Sequence, residues 1–493
     1  RLSILFASFT LLPAFAQELS LQDAILLARK NSVDAAVALN ELKTAYWQYR
    51  SYRADLLPEV NLRATLPNFN KTYSAYQQSD GSYTYLRNSY LNVNGEISID
   101  QNIWLTGGTI SLTTSLDYLH QIGNSGAAFG GKGSLNDNFM SIPFSLTLTQ
   151  PIFGVNNTKW NRRIEPVRYE EAKAAYVSAT ERVTMTAINY FFNLLLAREN
   201  VGIARQNLEN AEKLFEVAKA KREMGQISKN DLLQMELNVL EARSSLTENE
   251  STMKSAMFKL QSFLALEDTT SFELILPEIP AEVSINYNNV LEKAHRHNSF
   301  AQNIRRRQLE ADYDVARAKG NLRQINLFAK FGFTGTDHVL ADSYRTLKDN
   351  QVVQVGVSIP LIDWGKRRGK VRVAESNREV TRGQLRKEEM EFDQSIFILV
   401  EQFNNQQQQL QIATRADEIA RRRYETNVET YMIGKLSTLD LNDSQATKDE
   451  ARRKQISELF YYWHYYYQIR SLTLWDWEKN APIDADFEEL VRN

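Results

Sequence analysis

The 493-residue sequence predicts a mainly α-helical chain with a membrane β-barrel portion, built from long antiparallel coiled-coil hairpins and internally duplicated. Three observations predict it. Two stretches of more than a hundred residues, from Pro166 to Pro277 and from Pro360 to Pro482, contain no proline, the residue that breaks helix interiors. Inside them apolar residues recur in steps of three and four. Outside them, short segments alternate apolar and polar residues at period two, and both patterns return at fixed offsets.

The opening of the chain reads as a targeting segment. Arg1 precedes an apolar run from Leu2 to Phe15, and Ala14-Phe15-Ala16 forms a small-residue cleavage site before Gln17. Residues 1–16 are therefore expected to be a signal peptide, and the mature chain to leave the cytoplasm. No later run reaches the ~18 apolar residues of a membrane-spanning helix. An exported chain of this kind is either periplasmic or inserted as a β-barrel. A formal charge of -2 provides no basic stripe for nucleic acid, and the absence of cysteine excludes disulfides and thiolate chemistry.

The helical seam is regular. Tyr169, Ala172, Tyr176, Ala179 and Val183 step by three and four; the rhythm resumes from Ala187 through Tyr190, Leu194, Ala197, Val201, Ala204, Leu208, Ala211, Phe215 and Ala218. One extra step of four is a stutter in a coiled-coil pattern. The spacing predicts a helix over Asn156 to Met224, roughly 100 Å long at ~1.5 Å per residue. The same pattern recurs 209 positions later, where Leu385, Phe392, Ile396, Leu399, Phe403 and Leu410 answer Tyr176, Val183, Ala187, Tyr190, Leu194 and Val201. The offset also joins Gly225-Gln226-Ile227-Ser228 to Gly434-Lys435-Leu436-Ser437, and Asp231-Leu232 to Asp440-Leu441. Earlier in each half the offset is larger: Leu19 to Ala28 matches Ile285 to Ala294 at 266, and Val60-Asn61-Leu62 matches Ile325-Asn326-Leu327 at 265. The first half thus carries 56 extra residues between Leu62 and Pro151.

Strands are expected over Asn326 to Phe333 and Gln351 to Ile359, where Val353, Val355, Val357 and Ile359 share one face. Phe144, Leu146 and Leu148 alternate with Ser145, Thr147 and Thr149 in the same way. The excess holds a further hairpin over 97–118, whose Gln101-Asn102-Ile103-Trp104 resembles Gln150-Pro151-Ile152-Phe153. Gly123 to Asn138 is Gly/Ser/Asn-rich and is expected to be a loop. Four or six strands cannot close a membrane barrel, whose smallest examples have about eight. Lipid tolerates no open edge, so strands placed there require neighbouring protomers.

The duplicated strands, Pro151-Ile152-Phe153-Gly154, Pro360-Leu361-Ile362-Asp363-Trp364-Gly365 and the two Gly-x-[Ile/Leu]-Ser-x-x-Asp-Leu motifs resemble the TolC outer-membrane efflux family over about Gln17 to Trp475. The resemblance implies a homotrimer whose strands form one shared barrel in outer-membrane lipid and whose helices form a periplasmic tunnel. It implies partners: a periplasmic adaptor (membrane fusion protein) and an inner-membrane transporter of RND, ABC or MFS type. The implied function is passive conduction in a tripartite efflux or type I secretion system. The alternative from a different class is a periplasmic coiled-coil adaptor or scaffold. No catalytic constellation, cofactor motif or metal-ligand spacing is found, so no enzyme and no cofactor are expected. On this plan the segments are 1–16 signal peptide, 17–57 helices, 58–153 strands with the insertion, 154–268 first hairpin, 269–320 connector and helices, 321–363 strands, 364–475 second hairpin and 476–493 tail.

The resemblance also places the site. Tyr431, three before Gly434, and Asp440 and Asp443, six and nine after it, match the family's linking tyrosine and pore aspartates. Asp231 matches the partner carboxylate of the first hairpin. The family's linking arginine, two after the glycine, is Leu436 here. Gly225, Ile227, Ser228, Gly434, Leu436 and Ser437 are expected to receive the adaptor. Physically, Asp440 and Asp443 share a helix face, and threefold repetition sets six carboxylates around a mouth that favours cations. Ser228-x-x-Asp231 and Ser437-x-x-Asp440 equally read as capping boxes.

Overall fold

The computed structural model describes residues 17–122, 137–225, 227–266, 272–278, 285–322, 324–358, 362–432, 435–436, 438–483 and 485–492. The first half runs β1 (Gln17–Leu19), α1 (Leu21–Asn31), α2 (Val33–Ala54), β2 (Glu59–Gln77), β3 (Tyr83–Asn102), β4 (Thr109–Gln121), β5 (Asp137–Pro151), α3 (Asn157–Glu223) and α4 (Lys229–Leu264). The second runs β6 (Phe272–Leu274), α5 (Tyr287–His297), α6 (Ser299–Gly320), β7 (Gln324–Asp337), α7 (Leu340–Ser343), β8 (Leu347–Ser358), α8 (Lys366–Met432) and α9 (Thr438–Thr473). Two short strands, β9 (Trp475–Asp476) and β10 (Ala481–Pro482), and α10 (Phe487–Arg492) complete the chain. The predicted signal peptide lies outside the described residues.

Duplication is visible in the element bounds. α3 and α8 are each 67 residues and α4 and α9 each 36, and every start is displaced by 209 positions, as Lys366 is from Asn157. α5 and α6 repeat the 11- and 22-residue lengths of α1 and α2, displaced by 266. A 67-residue helix is about 100 Å long. α3 even accommodates Pro166, which forfeits an i→i−4 bond; its buried neighbours Ile164 and Val167 hold it in place.

The chain divides into two compact units. The first comprises residues up to 44, 171–301 and 388–493; the second comprises 45–170 and 302–387. In the first, the predicted seam is buried: Val183, Ala187, Leu194 and Ala204 of α3, and Ile396, Phe403, Leu410 and Ala413 of α8. Each large side chain so placed contributes about 1.5–3 kcal/mol. The aromatic run near the end of α9 belongs to this core, since Tyr462, Trp463, Tyr466 and Tyr467 are buried while Tyr461 is exposed. Burial pushes the Tyr462 phenol up to about 12. A buried ion cluster locks four segments together. Glu181, with a side chain only 1% exposed, accepts from Arg29 at 2.7 Å and faces Arg470 at 3.3 Å; Arg470 also pairs with Asp476 at 3.1 Å.

In the second unit a 6-stranded antiparallel sheet has the order β2-β3-β4-β5-β7-β8. The hairpin expected over 97–118 is the adjoining ends of β3 and β4, and it is part of this sheet. β5 starts at Asp137, so the loop expected to reach Asn138 is shorter at that end, and 123–136 lie outside the described residues. β8 is described to Ser358, leaving Ile359 outside. Two strand prolines, Pro67 and Pro143, sit where the register shifts, between Thr65 and Asn68 and between Ser141 and Phe144. Proline has no N–H for the ladder and is tolerated at such bulges. The β2–β3 turn uses Asp80-Gly81, with Gly81 at φ 86 and Asp80 accepting from the Ser82 N–H at 2.9 Å.

Candidate functional site

The sheet separates two environments with residue precision. One register row runs Val60, Ile99, Leu112, Leu146 and Phe331 across five strands. The adjacent row runs Asn61, Ser98, Thr113, Ser145, Gly332 and Asn350 across all six. Because successive side chains in a strand point to opposite faces, one face is apolar and the other polar. The apolar face is exposed: Val60, Leu62, Ile99, Leu146, Phe331 and Val353 all lie open, Val353 at 78%. On the polar face Asp100 accepts from Ser98 at 2.8 Å and from Asn61 at 3.3 Å, and Asn94 donates to Asp117 at 2.7 Å. Among the described residues, β2 and β8 are each paired on one side only within the sheet.

At the other candidate site, α3 ends in a turn at Gly225, whose φ of 74 is the left-handed region that suits glycine. Arg222 reaches across this turn to donate to the Ile227 carbonyl at 3.0 Å. Ser228 then caps α4. Its hydroxyl accepts from the Asp231 N–H at 3.1 Å, and the Asp231 carboxylate accepts from the Ser228 N–H at 3.0 Å. The capping box is therefore formed, and the Ser228 hydrogen bonds hold the Asp231 carboxyl below its ordinary value.

In the second hairpin, Gly434 and Ser437 lie outside the described residues, as does the side chain of Tyr431. Lys435 donates through its backbone to the Thr430 carbonyl at 3.2 Å, and Leu436 is partly exposed. Asp440 stands exposed in the first turn of α9. Asp443 is bridged by Arg423 of α8, whose guanidinium lies 2.9 Å from its carboxylate. Sequence reasoning placed Asp443 among the pore aspartates and did not bring Arg423 to it. Their distances from Gly434, eleven residues before and nine after, are the available signal, since a helical hairpin sets such positions opposite one another.

Further along the same unit, α3, α4 and α9 enclose a cavity of about 340 Å³ lined by Asn207, Asn210, Asn238, Asn442, Gln445 and Asp449. Asp449 is buried, accepts from Asn207 at 3.1 Å and faces the Lys448 ammonium at 3.1 Å. Asn210 donates to the Tyr424 hydroxyl at 3.0 Å. These amide residues flank the seam, and nothing in their spacing marks them in advance.

An antiparallel sheet with an apolar exposed face, a polar reverse and two open edges has the pattern of a membrane wall. The helical hairpins, doubled with matched lengths, place it among channel-tunnel proteins. The outer membrane efflux protein model matches residues 109–266 and 291–459, and the chain belongs to that family. No curated protein matches. Solved structures with the same fold include the Campylobacter jejuni CmeC outer membrane channel, at 16% identity and TM-score 0.64, covering 96% of this chain and 88% of that one. The Vibrio cholerae outer membrane protein VceC matches at 14% identity and TM-score 0.63, covering 94% and 97%. The Neisseria gonorrhoeae MtrE outer membrane channel, in its open state, matches at 14% and 0.57, covering 92% and 88%. Membership makes the chain an outer-membrane efflux channel with a periplasmic helical tunnel, and the periplasmic adaptor reading falls.

Proposed function

We propose that three copies of this chain assemble into one channel, which conducts substrates passively from an inner-membrane transporter, handed over by a periplasmic adaptor, to the exterior, and performs no catalysis. The paired apolar and polar rows of the open-edged sheet carry this reading, because lipid requires a partner for β2 and β8. The tip of the tunnel is the selective element. Threefold repetition brings Asp440 and Asp443 to a shared mouth, where six carboxylates focus negative potential. Arg423 offsets part of the Asp443 charge. Replacing Asp440 and Asp443 together by alanine should abolish cation preference and divalent block in single-channel recordings. Unchanged selectivity refutes the gating role. Arg423→Ala should move selectivity the opposite way.

The adaptor is received at the turn residues Gly225, Ile227, Ser228, Gly434, Leu436 and Ser437. Partly exposed Ile227 and Leu436 supply apolar contact, and the formed Ser228–Asp231 cap holds the first turn in shape. Tryptophan at Ile227 or Leu436 should abolish export while the trimer persists in detergent; normal export removes the assignment.

A further inference from the structure

The duplicated plan supplies two strands per half, yet the sheet holds six, with β2 and β3 lying ahead of Thr109, where the family match begins. We infer that the β2–β3 hairpin is barrel wall, so that three protomers close an eighteen-stranded barrel in which β8 of one copy pairs with β2 of the next. This rests on the trimeric channel reading and adds to it the identity of the interface and the width of the exit.

Four observations carry it. First, β3 is hydrogen-bonded along both sides, to β2 from Glu59 to Gln77 and to β4 from Tyr90 to Asn102, so the hairpin continues the sheet without a break. The β3–β4 ladder is longer than the 9–11 tilted residues that cross a membrane. Second, the environment rows pass straight through the hairpin: Val60 and Ile99 extend the apolar row, and Asn61 and Ser98 extend the polar one. A hairpin that merely decorated the mouth would be wetted on both faces and would have no use for that alternation. Third, parity is correct. Five successive antiparallel pairings leave β2 and β8 running in opposite directions, so rotation by a threefold axis brings them together antiparallel. Fourth, the two open edges match in character, with Val60 and Leu62 exposed on β2 and Val353 and Val355 exposed on β8.

Barrel diameter grows roughly linearly with strand number, and barrels of 16–18 strands leave an aqueous channel. Adding one hairpin per protomer to a four-strand plan therefore widens the exit by about half. An exit of that width sets no limit on cargo, so discrimination falls to the helix tips.

The absence of native cysteine makes the interface directly testable. Val353→Cys on β8 is combined in turn with Val60→Cys, Leu62→Cys or Ala64→Cys on β2, and separately with Ile110→Cys, Leu112→Cys or Leu116→Cys on β4. Oxidised trimers in detergent should give covalent dimers and trimers with the β2 set and none with the β4 set. The intramolecular pair Ala329→Cys with Val353→Cys, adjacent across β7 and β8, is the oxidation control. Cross-linking through β4 instead, or through neither set while the control pair forms, overturns the proposal. If the chain purifies only as a monomer, the channel reading itself fails, a distinct result. Excising Glu59–Asn102, which joins α2 through the Ile103–Gly108 turn to β4, should transfer cross-linking to the β4 set. Should the excised chain not assemble, single cysteines decide. Ile99→Cys should react only with lipid-soluble reagents and Arg63→Cys, on the polar face two residues from Asn61 and exposed, only with water-soluble ones, whereas water access to both overturns the proposal.

Discussion

The two halves of this chain agree closely in their helices and disagree in their strands. Every long helix in one half has a partner of identical length in the other, whereas the first half contributes four long strands to the sheet and the second two. The difference reflects how each structure closes. A helix in a coiled-coil wall buries a seam against both neighbours, so changing its length or number exposes apolar surface along about 100 Å. A strand asks only for a hydrogen-bonded neighbour and one apolar face. An inserted hairpin leaves the edges, their directions and the alternation unchanged, so a barrel accepts strands in pairs at little cost.

Three experiments sharpen that contrast, beginning with the helical unit, where the largest effect is expected. Glu181→Ala removes the buried carboxylate shared by Arg29 and Arg470, leaving Arg29 on Thr184 and Arg470 on Asp476. Loss of a buried partner of this kind costs about 3–5 kcal/mol, and the thermal midpoint should fall sharply by circular dichroism. A change comparable to that of an exposed position would show that the cluster does not lock the core. In the sheet, the effect should depend on the face alone. Ile99→Lys at the lipid face should cost about 2–4 kcal/mol in urea unfolding from lipid, while Asn61→Lys, partly exposed in the adjacent polar row beside Asp100, should be nearly neutral. Equal costs would break the assignment of faces. The smallest effect belongs to the turn. Ser228→Ala removes the α4 cap and should cost about 1 kcal/mol, and without channel block or assembly loss. Because the Asp231 carboxyl is depressed by Ser228, the cap is intact above the ordinary carboxylate range and fades as pH falls through the lowered value. Acid sensitivity of hydrogen exchange at the start of α4 should disappear in Ser228→Ala.

The helices were legible because proline and a 3-4 rhythm are local signals summed over many turns. Asn156 to Met224 was expected to be helical, and α3 spans Asn157–Glu223. The membrane rows were legible wherever one face is apolar. The stretch from Arg63 to Glu96 was not read as strand, because Tyr, Asn, Ser and Thr outnumber the apolar residues there and Leu66, Leu91 and Val93 extend the apolar row only at its ends; the Asp80-Gly81 turn was the clue available. Arg423 and Asp443 meet across a hairpin from sequence positions twenty apart, and Asn207, Asn238 and Gln445 gather at a cavity from separate helices. Glu181 looks like any solvated glutamate until two arginines from distant segments close over it.

By itself, the order of residues determined the helix lengths, the duplication, the alternating faces and the need for neighbouring copies, since each follows from periodicity or from backbone groups that lipid leaves unpaired. The folded chain alone decided that the extra hairpin stands within the sheet, that Asp443 is bridged by Arg423, and that Glu181 is buried with its arginines. These depend on which segments meet in space, and pairing between distant strands and helices is fixed by packing that no local pattern encodes.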